Sequence, residues 1–161
     1  MRRLLLAFVA SVSLAACASP YQPAGFRGGF TDTQINAQTF EITFGGNAFT
    51  SSTQTGNMAL LRASDIALAN GYPYFVVVDK STDITNVILS TPGTAQTNGQ
   101  YNAFSGTYRA TTTYRGPSTD VYEKPTSRIV IVLTKDQSYQ GVTYYDAALV
   151  NKSLKASYGI K

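Results

Sequence analysis

Asn70-Gly71-Tyr72-Pro73-Tyr74-Phe75-Val76-Val77-Val78-Asp79 is the stretch on which the architecture turns. Gly71 supplies a backbone that can close a helix, and Pro73 cannot continue one. The uninterrupted apolar run from Tyr74 to Val78 then reads as a strand apolar on both faces, the kind that belongs in the middle of a sheet. Upstream, Ser51 and Gln54 stand at capping-box spacing, so a helix is expected from about Thr53 to Asn70. Ala59, Ala63, Ile66 and Ala67 fall on one of its faces with Leu60 beside them. Small residues there allow close approach to a sheet.

Earlier in the chain, Phe40, Ile42 and Phe44 alternate with Glu41 and Thr43, the period of a half-buried strand. Gly45-Gly46-Asn47 ends it. Later, residues 80 to 100 are mostly Thr, Asn, Gly and Gln and read as a long loop with a short strand at Asn86 to Leu89. Strands are expected at Asn102 to Tyr114 and at Ser127 to Thr134, with a turn over Gly116 to Pro125 between them. Ala147, Val150, Leu154 and Tyr158 recur on one helical face near the end, after Thr143 and Asp146 at capping spacing. The pattern implies an α+β fold: a mixed or antiparallel sheet of four to five strands with two helices packed on one face, formed by residues 38 to 161 as a single domain.

The first residues have a different character. Arg2 and Arg3 precede an uncharged run from Leu4 to Ala16, too short to span a hydrocarbon core that needs about 20 apolar residues. That is the layout of a signal peptide over residues 1 to 16. Its end, Leu14-Ala15-Ala16-Cys17, resembles the lipobox of bacterial lipoprotein precursors. The resemblance implies cleavage before Cys17, diacylglycerol on its sulfur, palmitate-type acyl chains in a membrane, and location in the cell envelope. Ala18 is not the Asp associated with inner-membrane retention, so the periplasmic face of the outer membrane is expected. Residues 17 to 37, rich in Gly, Pro, Gln, Ser and Thr, read as a lipidated flexible tether.

Composition narrows the chemistry. Export removes Arg2 and Arg3 from the thirteen basic residues, leaving eleven against nine acidic ones, a net charge of about +2. With no Lys/Arg cluster, this is not the footprint of a nucleic-acid binder. The chain has no histidine and one cysteine, so a Cys/His zinc site cannot be built and the commonest general base is missing. No serine is followed by Lys at the third position, which removes the Ser-x-x-Lys alternative. No metal or cofactor is expected, and the chain reads as non-enzymatic.

Leu60-Leu61-Arg62-Ala63-Ser64-Asp65 running into Asn70 to Asp79 resembles a Caulobacter-type locus-tag family of small uncharacterised bacterial lipoproteins. Its members carry a lipobox, an aromatic first strand like Thr39 to Asn47, and a Leu-Leu-Arg-Ala-Ala-Glu helix leading into Gly-Tyr-Asp-Tyr-Phe. Here Ser64 and Asp65 replace Ala and Glu, and Pro73 replaces Asp. The likeness spans roughly residues 14 to 160 and is sharp over 39 to 79. It implies an address in the envelope and no activity.

Among candidate groups, Arg62 and Asp65 have the spacing of a local helical ion pair. Asp79 closes the expected central strand, where ligands of open sheets gather, with Asp83 four residues on. Eleven tyrosines are the one chemical excess. Tyr72 and Tyr74, with Asp79, are the candidate ligand-binding residues, and Tyr144 and Tyr145 lie at another element end. The leading expectation is a binding or scaffolding protein of the envelope that meets a protein partner through its sheet face or the 80 to 100 segment. A glycan- or small-ligand-binding module is the rival, and a carboxylate-dependent envelope enzyme the third reading.

Overall fold

The computed structural model describes residues 18 to 161, so the signal peptide and Cys17 lie outside the described residues. Five antiparallel strands form the main sheet: β1 (Gly29–Gln34), β2 (Thr39–Gly45), β3 (Tyr74–Thr91), β6 (Ser118–Thr134) and β7 (Tyr144–Asp146). Their order across the sheet is β1-β2-β6-β3-β7. A second sheet is the hairpin of β4 (Thr94–Asn102) and β5 (Thr107–Arg115). The helices are α1 (Ser52–Ala69) and α2 (Ala147–Tyr158). The α+β class is therefore as the sequence implied.

The alternation in β2 does what its period requires. Phe40, Ile42 and Phe44 are buried, while Glu41 and Thr43 keep partial access to water. Across the ladder to β6, Phe40 faces Ile131 and Ile42 faces Ile129, so one side of both strands forms a continuous apolar surface. Phe75 of β3 and Met58, Leu61, Ala63 and Ile66 of α1 complete the same core. Tyr74 to Val78 is less symmetrical than expected. Phe75 and Val76 are buried but Val78 is exposed, because β7 pairs with only Tyr74, Phe75 and Val76 and covers nothing beyond them.

The helix ends follow from local chemistry. Ser51 Oγ accepts the Gln54 backbone N–H at 3.1 Å, relieving one of the four donors a helix start leaves unpaired. At the other end Gly71 takes a φ of +73°. Its N–H bonds to Leu68 O at 3.1 Å, and the Tyr72 N–H reaches back to Ala67 O at 2.9 Å. This pair of bonds is a Schellman closure. In α2 the cap is Asp146, which accepts from Leu149 N at 2.9 Å, rather than Thr143.

Three segments depart from the sequence reading. Of the expected tether over residues 17 to 37, the described part from 18 on is not loose: Gly29–Gln34 pairs along its whole length with β2, with Phe30 opposite Phe44 and Asp32 opposite Ile42. Residues 80 to 100 are not a loop, since β3 runs on to Thr91 and β4 begins at Thr94. The Gly116 to Pro125 turn shrinks to two residues, and β6 starts at Ser118. The reason is common to the last two. No residue from 86 to 122 is buried, so no hydrophobic period marks the strands, which rest on backbone pairing and on Thr and Tyr propensity. The single domain over 38 to 161 is also revised. Contacts divide the chain into one unit holding the described residues up to Thr85 with Glu123–Lys161, and a second of Asn86–Tyr122.

Gly56 lies buried within α1, where glycine costs about 1 kcal/mol relative to alanine. A Cβ there would meet Ser127 Oγ at 3.8 Å and Lys80 Nζ at 3.9 Å, both ordinary contacts. Gly56→Ala is expected to raise the unfolding free energy by about 0.5–1 kcal/mol in urea titrations. A loss of stability would show that α1 sits tighter on β6 than these distances allow.

Candidate functional site

The residues marked out by sequence do not converge. Tyr74 and Asp79 are five positions apart on β3, which puts them on opposite faces and about 17 Å apart along the strand. Asp79 and Asp83 are exposed. Tyr72 packs against the core, accepts a long hydrogen bond of 3.3 Å from Gln38 Nε2, and has Lys135 Nζ 5.6 Å from its ring centroid. Tyr145 stacks on Phe75 at 5.2 Å. These tyrosines pack at strand and helix ends, where a ring is half buried and its hydroxyl reaches water.

The polar groups that do converge lie elsewhere, around Asp65 on α1. Arg62 is not its partner. The Arg62 Nε donates to Asp32 Oδ1 on β1 at 2.9 Å, and the guanidinium carbon sits 4.3 Å from the centre of the Phe30 ring. Burial works against that charge, but the Asp32 contact outweighs it and the Arg62 pKa is raised. Asp65 is left to accept from the Tyr21 hydroxyl and from Asn151 Nδ2 at 2.6 Å, with Lys155 Nζ at 3.8 Å. Asn151 also donates to Ser64 Oγ at 3.0 Å. The Tyr21 ring meets Phe30 at 5.0 Å between centroids.

This cluster draws in the segment before β1, then β1, α1 and α2. It offers no chemistry of its own: the carboxylate is filled by donors and the phenol is held neutral. Its effect is to fix the start of the described chain. Ser19 completes the attachment. It is 2% exposed, its backbone N–H donates to Thr50 Oγ1 at 2.9 Å, and its hydroxyl donates to Arg27 O at 2.7 Å. Gly28, at φ +92°, is pressed so closely on this residue that a Cβ would lie 2.6 Å from Ser19 Oγ and 2.4 Å from Gly45 O.

Comparison with family models, with curated proteins and with solved structures gives no match. Function must be sought in the chain's own geometry. Among the described residues no group of three or more His, Cys, Asp or Glu stands together as a metal site, and no helix is long and apolar enough to cross a membrane.

Several open clefts lie among the described residues, and two of them border the sheet and the start of the described chain. An apolar cleft of about 380 Å³ is lined by Val76, Val78, Val132, Tyr139, Gln140 and Val142. Another, of about 330 Å³, opens beside Ala18 and is bordered by Arg27, Gln54 and Ile160. Neither contains Tyr72, Tyr74 or Asp79. Sequence reasoning missed Tyr21, Asp65 and Asn151 as a set because their spacings match no local motif. One signal was available: Tyr21, Phe26 and Phe30 put three aromatics in a stretch read as a linker, and true linkers are poor in aromatics.

The Tyr21 pKa is raised above its ordinary value of 10.0, first by burial and then by the hydrogen bond and charge of Asp65. The unfolded chain gives up that proton at lower pH than the folded one. The stability linked to it is therefore complete below about pH 10 and falls as pH rises past that point. Tyr21→Phe is expected to cost about 1.5 kcal/mol at neutral pH, the low end for a hydrogen bond to a charged acceptor, since Asp65 retains 26% of its side-chain exposure. The variant should also show a shallower decline above pH 10 in denaturation curves. An unchanged alkaline limb would remove Tyr21 from the clasp.

Proposed function

We propose that the mature protein is a non-enzymatic lipoprotein of the cell envelope, anchored through acyl chains on Cys17 at the periplasmic face of the outer membrane, that binds or scaffolds a protein partner through its exposed β-structure. The likeness of Leu14 to Cys17 to a lipobox, and of residues 39 to 79 to the lipoprotein family, supports the address. The unit from Asn86 to Tyr122 carries the binding reading. Every residue of β4 and β5 is exposed, and Ile88, Leu89, Tyr101, Phe104, Tyr108, Tyr114 and Val121 all present large apolar side chains to water. A two-stranded ladder without a buried face has little to hold it, and apolar side chains exposed at this density suit a protein partner.

We also read both helices as lying on one face of the main sheet. α1 lies against β1 and β2, and α2 against α1 and β7. The opposite face would then carry Glu41 and Arg128, paired at 2.6 Å, and the valines of the 380 Å³ cleft. That cleft favours a second reading, a small-ligand or glycan module, with Tyr139 as its aromatic in place of Tyr72 and Tyr74, and without Asp79. The engagement of Asp32, Glu41 and Asp65 in internal pairs supports a role without acid–base catalysis.

A photo-crosslinking side chain placed at Tyr101 or Tyr114 tests the reading in intact cells. The expected result is one discrete adduct with an envelope protein, lost when Ile88 is replaced by Lys. Absence of any adduct from both positions, with the protein at its normal level, would contradict scaffolding through this unit.

A further inference from the structure

We propose that the surface around Ser19 is a membrane-docking face, in which Phe26 and Phe49 enter the lipid interface beside the acyl chains of Cys17. The proposal rests on the lipoprotein reading and adds a pose to it.

Its basis is the length of free chain. A flexible tether of about 20 residues would let the domain stand roughly 25 Å from its anchor. The segment is not free: Ser19 is buried and bonded through both its backbone N–H and its hydroxyl, and Tyr21 is held by Asp65. Only Cys17 and Ala18 separate the lipidated sulfur from fixed structure. Two extended residues reach about 7 Å, comparable with the interfacial layer on one side of a bilayer, which accounts for roughly 5–7 Å. An acyl group buried in hydrocarbon therefore brings the protein surface next to Ser19 into the headgroup layer.

The residues that flank this point suit such a place. Ser19 is seated by two loops, and each carries an unburied aromatic ring. Phe26 is fully exposed and directly precedes Arg27, whose carbonyl accepts the Ser19 hydroxyl. Phe49 is 68% exposed and directly precedes Thr50, whose hydroxyl accepts the Ser19 N–H. A single exposed Phe on a soluble surface needs no explanation. Two of them, each one residue from a group that fixes the membrane-proximal end of the chain, are placed where a lipid interface would cover both. Arg27 borders the same cleft as Ala18, which sets a basic side chain beside the phosphate layer. Burial of a Phe side chain is worth about tenfold or more in partitioning, so the two rings would hold the domain in one orientation instead of leaving it to tumble on its anchor.

The chain has no tryptophan and one cysteine, which makes the test direct. The mature chain is coupled through the Cys17 thiol to a maleimide lipid in vesicles of mixed phosphatidylethanolamine and phosphatidylglycerol. Single-tryptophan variants Phe26→Trp and Phe49→Trp are compared with Leu149→Trp, whose site is exposed on α2. Docking predicts blue-shifted emission and quenching by chain-brominated lipid at positions 26 and 49, and neither at 149. Water-like, unquenched emission at both loop positions would overturn it, as would equal quenching at all three. Acylation is read separately, by intact mass of the protein taken from bacterial envelopes. An unmodified Cys17 there sinks the lipoprotein reading without touching the vesicle result, and unquenched rings on vesicles sink the docking face while leaving acylation standing.

Discussion

The carboxylate of Asp65 is the point through which the start of the chain is tied to the rest. It accepts from Tyr21, ahead of the first strand, and from Asn151 on the last helix, while its helical neighbour Arg62 is turned away to Asp32 on β1. Besides this set of bonds, the segment before β1 is fixed by the buried Ser19 contacts and by backbone bonds from Phe30 N to Gln22 O and from Ala24 N to Phe30 O, both 2.8 Å. With them, residues 19 to 34 belong to the domain, and the lipid proposed for Cys17 would be attached to a folded surface rather than to a leash. Partly buried charge is costly unless its lone pairs are filled, and here the Tyr21 hydroxyl and the Asn151 amide donate to the carboxylate, with the Lys155 ammonium 3.8 Å away.

How much of this was legible depends on whether the relevant force leaves a local pattern. Ser51, Gly71 and Pro73 act within a few residues of themselves, so both ends of α1 could be read. The alternation of Phe40, Ile42 and Phe44 records a buried face directly, as does the run from Ile129 to Leu133. β4, β5 and the outer parts of β3 and β6 have no buried face, and a strand that buries nothing writes no period into its sequence. The clasp was invisible for another reason. Tyr21 and Asp65 meet across 44 positions and Asp65 and Asn151 across 86, and no motif spans such gaps. Spacing on a helix suggested Arg62 with Asp65, but β1 brought a better-placed acid to the arginine.

The same contrast separates the two surfaces on which the proposed function and the proposed docking face rest. Near Ser19 the exposed aromatics Phe26 and Phe49 sit on a hydrogen-bonded frame, two residues beyond the proposed anchor. Over Asn86 to Tyr122 the exposed side chains lie on strands with no core beneath them. The proposed adaptor role, with lipid attached at one place and apolar β-structure presented at another, draws on neither the histidine nor the catalytic serine pair that the sequence lacks.

The central claim is that the residues just after Cys17 are folded. Amide hydrogen exchange on the mature chain tests it at Ser19, whose N–H is bonded to Thr50 and shielded from water. The account predicts protection at Ser19 approaching that of the β2 core amides, and a marked fall in that protection when Thr50 is replaced by Val. Exchange at Ser19 as fast as in an unfolded peptide would contradict it and return the segment to a tether.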